Sequence, residues 1–412
     1  MAYNPTKLGV VYGLKQANFE TAQTSSAVIS ANAKIEAEVF MPPTTREVFE
    51  RAATKGGFYE IAPVSGSPYG AEFTISKPLN GVSSSLPSSN LAETPDSQIL
   101  KALLGSAVQT NYQAAGANAS QTGADVLKIN NGEESSYGAG SALMTSGLGA
   151  FIASIDAGAD SITPVLDFTT TPTGSAAVYG SNTVYLSTAA TDAFTFVWRT
   201  KENQTQLVLQ GCVPTSATIS LGPKDGYPRL EATFLCNKVV SETAGSALAD
   251  FDYSFPVLPV PTSDASARMV YATTSGASGA TELDIEGLQI AITQELVPQL
   301  SHNAATGVTD VLVTNRSVEC SFRGVLGSAN PYDTTGKVLT DIANSAPKAI
   351  QCQIGGTAGQ SFMMLIPSPI QTAVPAVEDM GGVFGLSFMV KPGNHGGTGA
   401  TVADSDFRVA FL

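Results

Sequence analysis

Residues of alternating character dominate this chain. Short runs of Val, Ile, Thr, Phe and Tyr recur between clusters of Gly, Pro, Asn and Ser. In Arg229–Cys236, Leu230, Ala232, Phe234 and Cys236 face one way, and Arg229, Glu231 and Thr233 face the other. Residues 317–325 repeat the pattern, with Val318, Cys320 and Phe322 opposed to Glu319, Ser321 and Arg323. Successive side chains on a strand point to opposite faces, so each run predicts a strand with one side on a core and one in water. A mainly β fold follows. Its expected strands lie at 34–40, 71–79, 194–200, 206–212, 217–221 and 230–239. A second set lies at 288–297, 316–326, 349–354, 361–370 and 383–390, with a closing strand at 406–412.

Three short helices interrupt this pattern. Thr44-Thr45-Arg46-Glu47 has the form of a capping box, followed by an apolar stripe of Val48, Phe49, Ala52 and Ala53 that ends at Gly56-Gly57. Thr94-Pro95-Asp96 opens a second helix, with Ile99, Leu100, Leu103 and Leu104 inward and Gly105 as its stop. A third spans about 336–346, with Val338, Leu339 and Ile342 inward and Pro347 beyond it.

The order of elements repeats. Each half reads strand, strand, short helix, strands, which predicts two tandem units, 1–255 and 282–412, joined by a Pro- and Ser-rich linker at 256–281. The first unit carries an extra segment, about 106–190, rich in Ala, Gly, Ser, Thr and Asn. Strand-like pieces at 125–129, 162–168 and 183–186 mark it as an inserted subdomain or a set of added strands rather than a loop.

Composition narrows the function. Of the 412 residues only 14% are charged, the net charge is −14, and 43% are hydrophobic, enough for a substantial core. Lys and Arg total 21 against 35 acids, which leaves no basic excess for tight nucleic-acid binding. No apolar run is long enough for a membrane-spanning helix, and the first 20 residues lack the apolar core of a signal peptide, so neither membrane insertion nor secretion by that route is expected.

No reaction centre is visible. The only histidines, His302 and His395, lie in loop-like sequence, and no P-loop, G-x-S-x-G or H-E-x-x-H pattern occurs. Cys212, Cys236, Cys320 and Cys352 lack C-x-x-C spacing and sit in strand-like runs, so they read as small buried hydrophobes; a Cys212–Cys236 bridge is the one pairing considered. Phe194, Phe196 and Trp198 form an aromatic ladder on one strand face, which reads as core or subunit contact. No enzyme, cofactor or metal is expected. A glycan hydrolase would need aromatic platforms that a single Trp cannot supply and two spaced carboxylates.

Several motifs carry a family likeness. The chain has an N-terminal arm followed by Ile35-Glu36-Ala37-Glu38-Val39, then Tyr69-Gly70-Ala71-Glu72-Phe73-Thr74-Ile75, then the helix ending in Leu103-Leu104-Gly105. Later come Leu207-Val208-Leu209-Gln210-Gly211-Cys212 and a strand entered through Gly226-Tyr227-Pro228. Together these resemble the tail tube proteins of long-tailed bacteriophages. The resemblance implies a β-sandwich with a flanking helix, assembling into rings whose inner sheets join in a continuous β-barrel. It implies stacking into a hollow tube that conducts DNA. Its partners would be further copies of itself, the tape measure protein, the tail terminator and distal tail proteins. The protein would be made in the host bacterial cytoplasm and would reside in the virion tail. Two such units in one chain would give a three-fold ring with pseudo-six-fold symmetry. Another tail or neck ring component, such as a distal tail or head-completion protein, and a surface adhesin are the alternative readings. On the tube reading, Glu36, Glu38, Glu72, Gln289, Glu295, Glu319 and Arg323 are the candidate lumen-facing residues. The acidic balance predicts a negative lumen that does not hold phosphates.

Overall fold

A computed structural model describes residues 9–30, 34–35, 37, 39–41, 48–49, 64–65, 71–81, 95–110, 116–117, 123–130, 132–168, 170–174, 176–200, 205–222, 226–243, 268–272, 281–301, 307–325, 349–373, 376–379, 384–393 and 401–412. The chain is mainly β. Its first half supplies β1 (Gly9–Lys15), β2 (Lys34–Ile35), β3 (Val39–Met41), β4 (Ala71–Pro78), β5 (Phe194–Thr200), β6 (Thr205–Leu221), β7 (Arg229–Cys236) and β8 (Lys238–Thr243). The second half supplies β9 (Arg268–Ala272), β10 (Thr281–Leu300), β11 (Val308–Val325), β12 (Ala349–Ile354), β13 (Phe362–Ile366), β14 (Pro369–Gln371), β15 (Phe384–Pro392) and β16 (Arg408–Phe411). All belong to one sheet that curls into a half-barrel and folds back over its own core.

Two long strands make the turn between layers. From Thr205 to Gln210, β6 pairs with β8; its early part also pairs with β5. From Val213 onward it pairs with β7, and from Ser216 with β10. The two runs expected at 206–212 and 217–221 are thus one strand. It bends at Gly211, whose φ of +60° suits glycine and where a Cβ would lie 2.6 Å from that of Asn237. Register shifts at Pro214 complete the bend. The single strand expected at 230–239 is conversely two. β7 and β8 part at Asn237, and β8 returns to the opposite layer.

The core between the layers is apolar. Phe73, Phe196 and Phe234 meet in it, with ring centroids 5.0 Å (Phe73–Phe234) and 4.9 Å (Phe196–Phe234) apart. The aromatic ladder of β5 is core: Phe194 and Phe196 are buried, and Trp198 packs against them at the margin. The other face of β5 is covered as well. Val197 packs with Tyr12, Val208 and Val28, the last from helix α1 (Ser25–Ser30), an element the sequence reading omitted.

Helix α2 (Pro95–Leu104) forms as expected. It buries Ile99, Leu100, Leu103 and Leu104 in the main core and stops at Gly105, whose φ is +108°. A capping box does not make a helix of Val48 and Phe49. They form a two-residue strand paired with Val64–Ser65, so β-branched and aromatic character prevailed over the capping signal. The helix expected at 336–346 lies outside the described residues. Within the stretch read as a linker, β9 is a strand of the main sheet.

The segment at 106–190 has structure of its own. Gly105–Gln109 and Asn182–Leu186 pair with each other and join the main sheet beside β16. Between them lies a six-stranded sheet that includes Ala142–Thr145, Leu148–Asp156 and Ser161–Pro164. One side buries Leu143, Ile152, Ile162 and Phe168 in a separate core. Met144 and Phe151 pack on Met363, Leu365 and Leu412 of the main body. Gln353 fastens this junction. It is buried, accepts from Gly149 N at 2.9 Å, and donates to Gly147 O at 2.9 Å and Gly355 O at 2.8 Å.

Candidate functional site: a one-sided sheet face

One layer of the half-barrel presents a bare face. Its strands run in the order β3, β4, β7, β6, β10, β11, β15, β14, all antiparallel. Inward alternate positions are apolar apart from the buried Lys77 of β4: Phe73 and Ile75, Leu230 and Phe234, Ala217 and Ile219, Ile290 and Ile292, Val318 and Phe322, Phe388 and Val390. Among the described residues, outward positions pack on no other element of the core; they carry hydroxyls, charges and a few apolar side chains, among them the exposed Ile370 and Met389. One row across the sheet reads Ser76, Glu231, Thr218, Ala291, Glu319. The next reads Thr74, Thr233, Ser216, Thr293, Ser317. Thr74 and Thr233 hydroxyls lie 3.2 Å apart.

The expected site residues distribute as follows. Glu72, Gln289, Glu319 and Arg323 all lie on this face, on β4, β10 and β11. Glu295 continues it along β10, exposed and paired with Asn315. Glu36 and Glu38 lie outside the described residues, as do His302 and His395. Sequence reasoning missed Glu231, Arg229, Lys391 and the Ser and Thr rows. The alternation of Arg229–Cys236 held the signal, since it already put Arg229, Glu231 and Thr233 on one side.

The described part of the face carries charges of both signs. Glu72, Glu231, Glu295 and Glu319 are countered by Arg229, Arg323 and Lys391. Glu319 Oε2 lies 4.0 Å from Lys391 Nζ, and Thr372 Oγ1 donates to Glu319 Oε1 at 3.4 Å. The described part of the face is close to neutral, so the acidic excess of the chain is not concentrated there. The face mixes rows of small hydroxyls with charges of both signs and a few apolar side chains.

β10 and β11 outrun the sheet. β6 pairs with β10 only as far as Thr293, and β15 with β11 only as far as Cys320, so 294–300 and 308–316 continue as a two-stranded arm. Val308 and Val311 dock on Phe19, Ala193 and Val213. The arm leaves Val297, Leu300 and Leu312 exposed, Leu300 by 79%. Beside the docked side lies a cleft of about 250 Å³ bordered by Gln16, Phe19, Asp192, Val213 and Asp310.

Nothing in this arrangement assembles a reaction centre. Among the described residues no group of three or more His, Cys, Asp and Glu is placed to hold a metal ion, and no helix is long and apolar enough to cross a membrane. Titratable groups with displaced pKa values lie away from the face or in the core. Burial raises Tyr137 to about 12 and lowers Arg408 to about 10. At the edge of the six-stranded sheet, a hydrogen bond between Glu134 and Asp160 lowers the first carboxyl and raises the second.

The sequence signature of the phage tail tube protein family matches residues 61–392. The chain belongs to the phage tail tube family. The match takes in every strand of the bare face except β3, in both halves of the chain. No curated protein matches the chain. As a tail tube family member it is a structural component of a virion, and self-association in the tube is what the family implies.

Proposed function

We propose that this protein assembles into rings that stack as a hollow tail tube, with the hydroxyl-rich face turned to the lumen through which phage DNA passes. The observation that carries the reading is the bare face itself, which runs unbroken from strands of the first half to strands of the second at the β6–β10 pairing. A sheet open at both edges exposes unpaired backbone, and closure with other copies removes those edges.

The chain contains two tandem tail-tube-like units, 1–255 and 282–412, with 106–190 as an insertion in the first; the stretch between them, 256–281, contributes β9 to the second unit. Matching strand pairings support this. The pairs β1–β5, β1–β2, β3–β4, β4–β7, β5–β6 and β6–β7 have counterparts β9–β12, β9–β10, β10–β11, β11–β15, β12–β13 and β14–β15, every one antiparallel. In this correspondence the β2 and β3 equivalents are fused into β10, and the β6 equivalent is divided into β13 and β14.

Geometry favours three copies in a ring. Each chain contributes eight strands to the face. At about 4.8 Å between strands and a tilt of about 40°, three copies close a barrel of about 48 Å backbone diameter, leaving about 38 Å clear of side chains. Two copies would leave about 22 Å, too little for a hydrated duplex about 20 Å across. Such a ring has three-fold symmetry and pseudo-six-fold appearance. Exposed Val297, Leu300 and Leu312 on the projecting arm are the apolar surface that the reading assigns to contact with another copy.

A near-neutral hydroxyl wall suits passage without retention. Affinity for DNA rises with each phosphate neutralised, and here cations are few and countered by carboxylates. The protein acts without catalysis or cofactor. It is made in the host bacterial cytoplasm and works with the tape measure protein, the tail terminator and distal tail proteins. The lumen assignment is tested by placing a cysteine at Thr293. In assembled tubes a small maleimide labels it, while a maleimide coupled to a protein too large for the bore does not. Equal labelling by both reagents in intact tubes overturns the assignment.

A further inference from the structure

The covalent chemistry that this fold brings within reach lies in the core. Cys212 on β6 and Cys236 on β7 are both fully buried, and their sulfurs are 3.2 Å apart. They sit at a fork. Beyond Val213 and Leu235 the strands β6 and β7 run paired, while on the other side of the two cysteines β6 pairs with β5 and β8 in the opposite layer. Gly211 and Asn237, their neighbours in sequence, form the bend itself. A movement of about 1 Å would bring the two sulfurs to bonding distance.

We propose that Cys212 and Cys236 are a latent disulfide, reduced as the protein is made and joined by a peroxide-class oxidant once the protein leaves a reducing compartment. The step balances. One sulfur, as thiolate, attacks an oxygen of hydrogen peroxide; the O–O bond breaks, the sulfur becomes a sulfenic acid, and the departing hydroxide takes the thiol proton to become water. The second sulfur attacks the sulfenic sulfur; the S–S bond forms, the S–O bond breaks, and hydroxide leaves with the second thiol proton as another water. Two thiols and one peroxide yield one disulfide and two waters, with sulfur oxidised and oxygen reduced.

The same burial sets the rate. Desolvation, then the contact with Cys236, holds the Cys212 thiol well above the ordinary thiol range, so thiolate is scarce and the pair resists casual oxidation. Cys320 and Cys352 are also raised by burial and serve as an internal comparison. Once formed, the bond would pin the fork where the two layers separate and would close a loop of about 25 residues, restricting the unfolded chain.

The test uses the full-length protein, incubated with hydrogen peroxide in buffer and in sub-denaturing urea, then blocked with N-ethylmaleimide in denaturant. The expected result is a fall from four free thiols per chain to two, one cross-linked peptide pair containing Cys212 and Cys236, no cross-linked dimer, and a higher thermal midpoint that dithiothreitol reverses. The Cys320→Ala/Cys352→Ala variant gives the same cross-link, and Cys212→Ser abolishes it. Four thiols persisting in both conditions, a cross-link through other cysteines, or sulfinic acid at Cys212 with no cross-link overturns the proposal.

Discussion

Lys77 offers the sharpest test of how the half-barrel is held together. It occupies an inward position of β4, in line with Phe73 and Ile75, and is 1% exposed. Its Nζ donates to Asp96 Oδ1 at 2.7 Å, to Asp96 Oδ2 at 2.8 Å and to Pro78 O at 2.8 Å. Asp96, equally buried, stands in the first turn of α2 and also accepts from Asn80 N at 2.8 Å. The pair ties α2 to β4. Replacing Lys77 by Met keeps most of the apolar stem but leaves a buried carboxylate with a single backbone donor. Breaking such a pair from one side costs about 3–5 kcal/mol, whereas replacing both partners with apolar residues is close to neutral. Urea denaturation followed by fluorescence of Trp198, the only tryptophan, reads the loss. Lys77→Met is expected to fall in that range, and Lys77→Met/Asp96→Leu to recover most of it. A loss below about 1 kcal/mol for the single variant would refute the argument that the pair is dry and needed.

Other expectations follow from the same structure. Phe234→Ala removes a fully buried ring packed on Phe73 and Phe196, and should cost about 3–5 kcal/mol in the same assay. Gln353→Leu orphans Gly149 N and Gly147 O at the insertion, each worth about 1–3 kcal/mol, so amide exchange should quicken at 142–156 while β4 and β7 keep their protection. Thr218→Lys/Thr293→Lys makes the bare face basic; purified tubes should then retain duplex DNA at 50 mM salt and release it at about 200 mM, where the parent tubes retain none. Tyr137 should ionise near pH 12 by spectrophotometric titration. Its unfolded form ionises near 10, so the folded state holds the proton longer, and this contribution to stability declines as pH rises from about 10 to 12.

Much of the fold was legible because alternation is a strong signal wherever one face is wet. Phe194–Thr200 and Ala349–Ile354 match the expected bounds, Arg229–Cys236 shows the expected alternation, and α2 forms with the expected inward residues. The misses share a cause. The bend at Gly211 and the layer change at Asn237 are tertiary events, set by which strand pairs on each side, and no local pattern encodes that choice. Val48 and Phe49 carried a helical cap but pair as a strand. Lys77 was hidden by its own charge: a cation on the inward side of an alternating strand signals a buried partner, and Asp96, just inside the start of α2, is that partner. The bare face was partly visible in Glu72, Gln289, Glu319 and Arg323, but its near-neutral balance depends on Arg229 and Lys391, whose positions on the sheet only the pairing reveals.

The central claim is that three copies close a tube whose inner wall is the hydroxyl-rich face. Electron microscopy of the assembled protein, with rotational averaging of end-on rings and reconstruction of the side walls, tests it most directly. The account predicts stacked hollow rings with three-fold symmetry and pseudo-six-fold features, and with Thr218, Thr293 and Glu319 on the bore. Strict six-fold symmetry would contradict the tandem units, and a bore lined by any other face would contradict the lumen assignment.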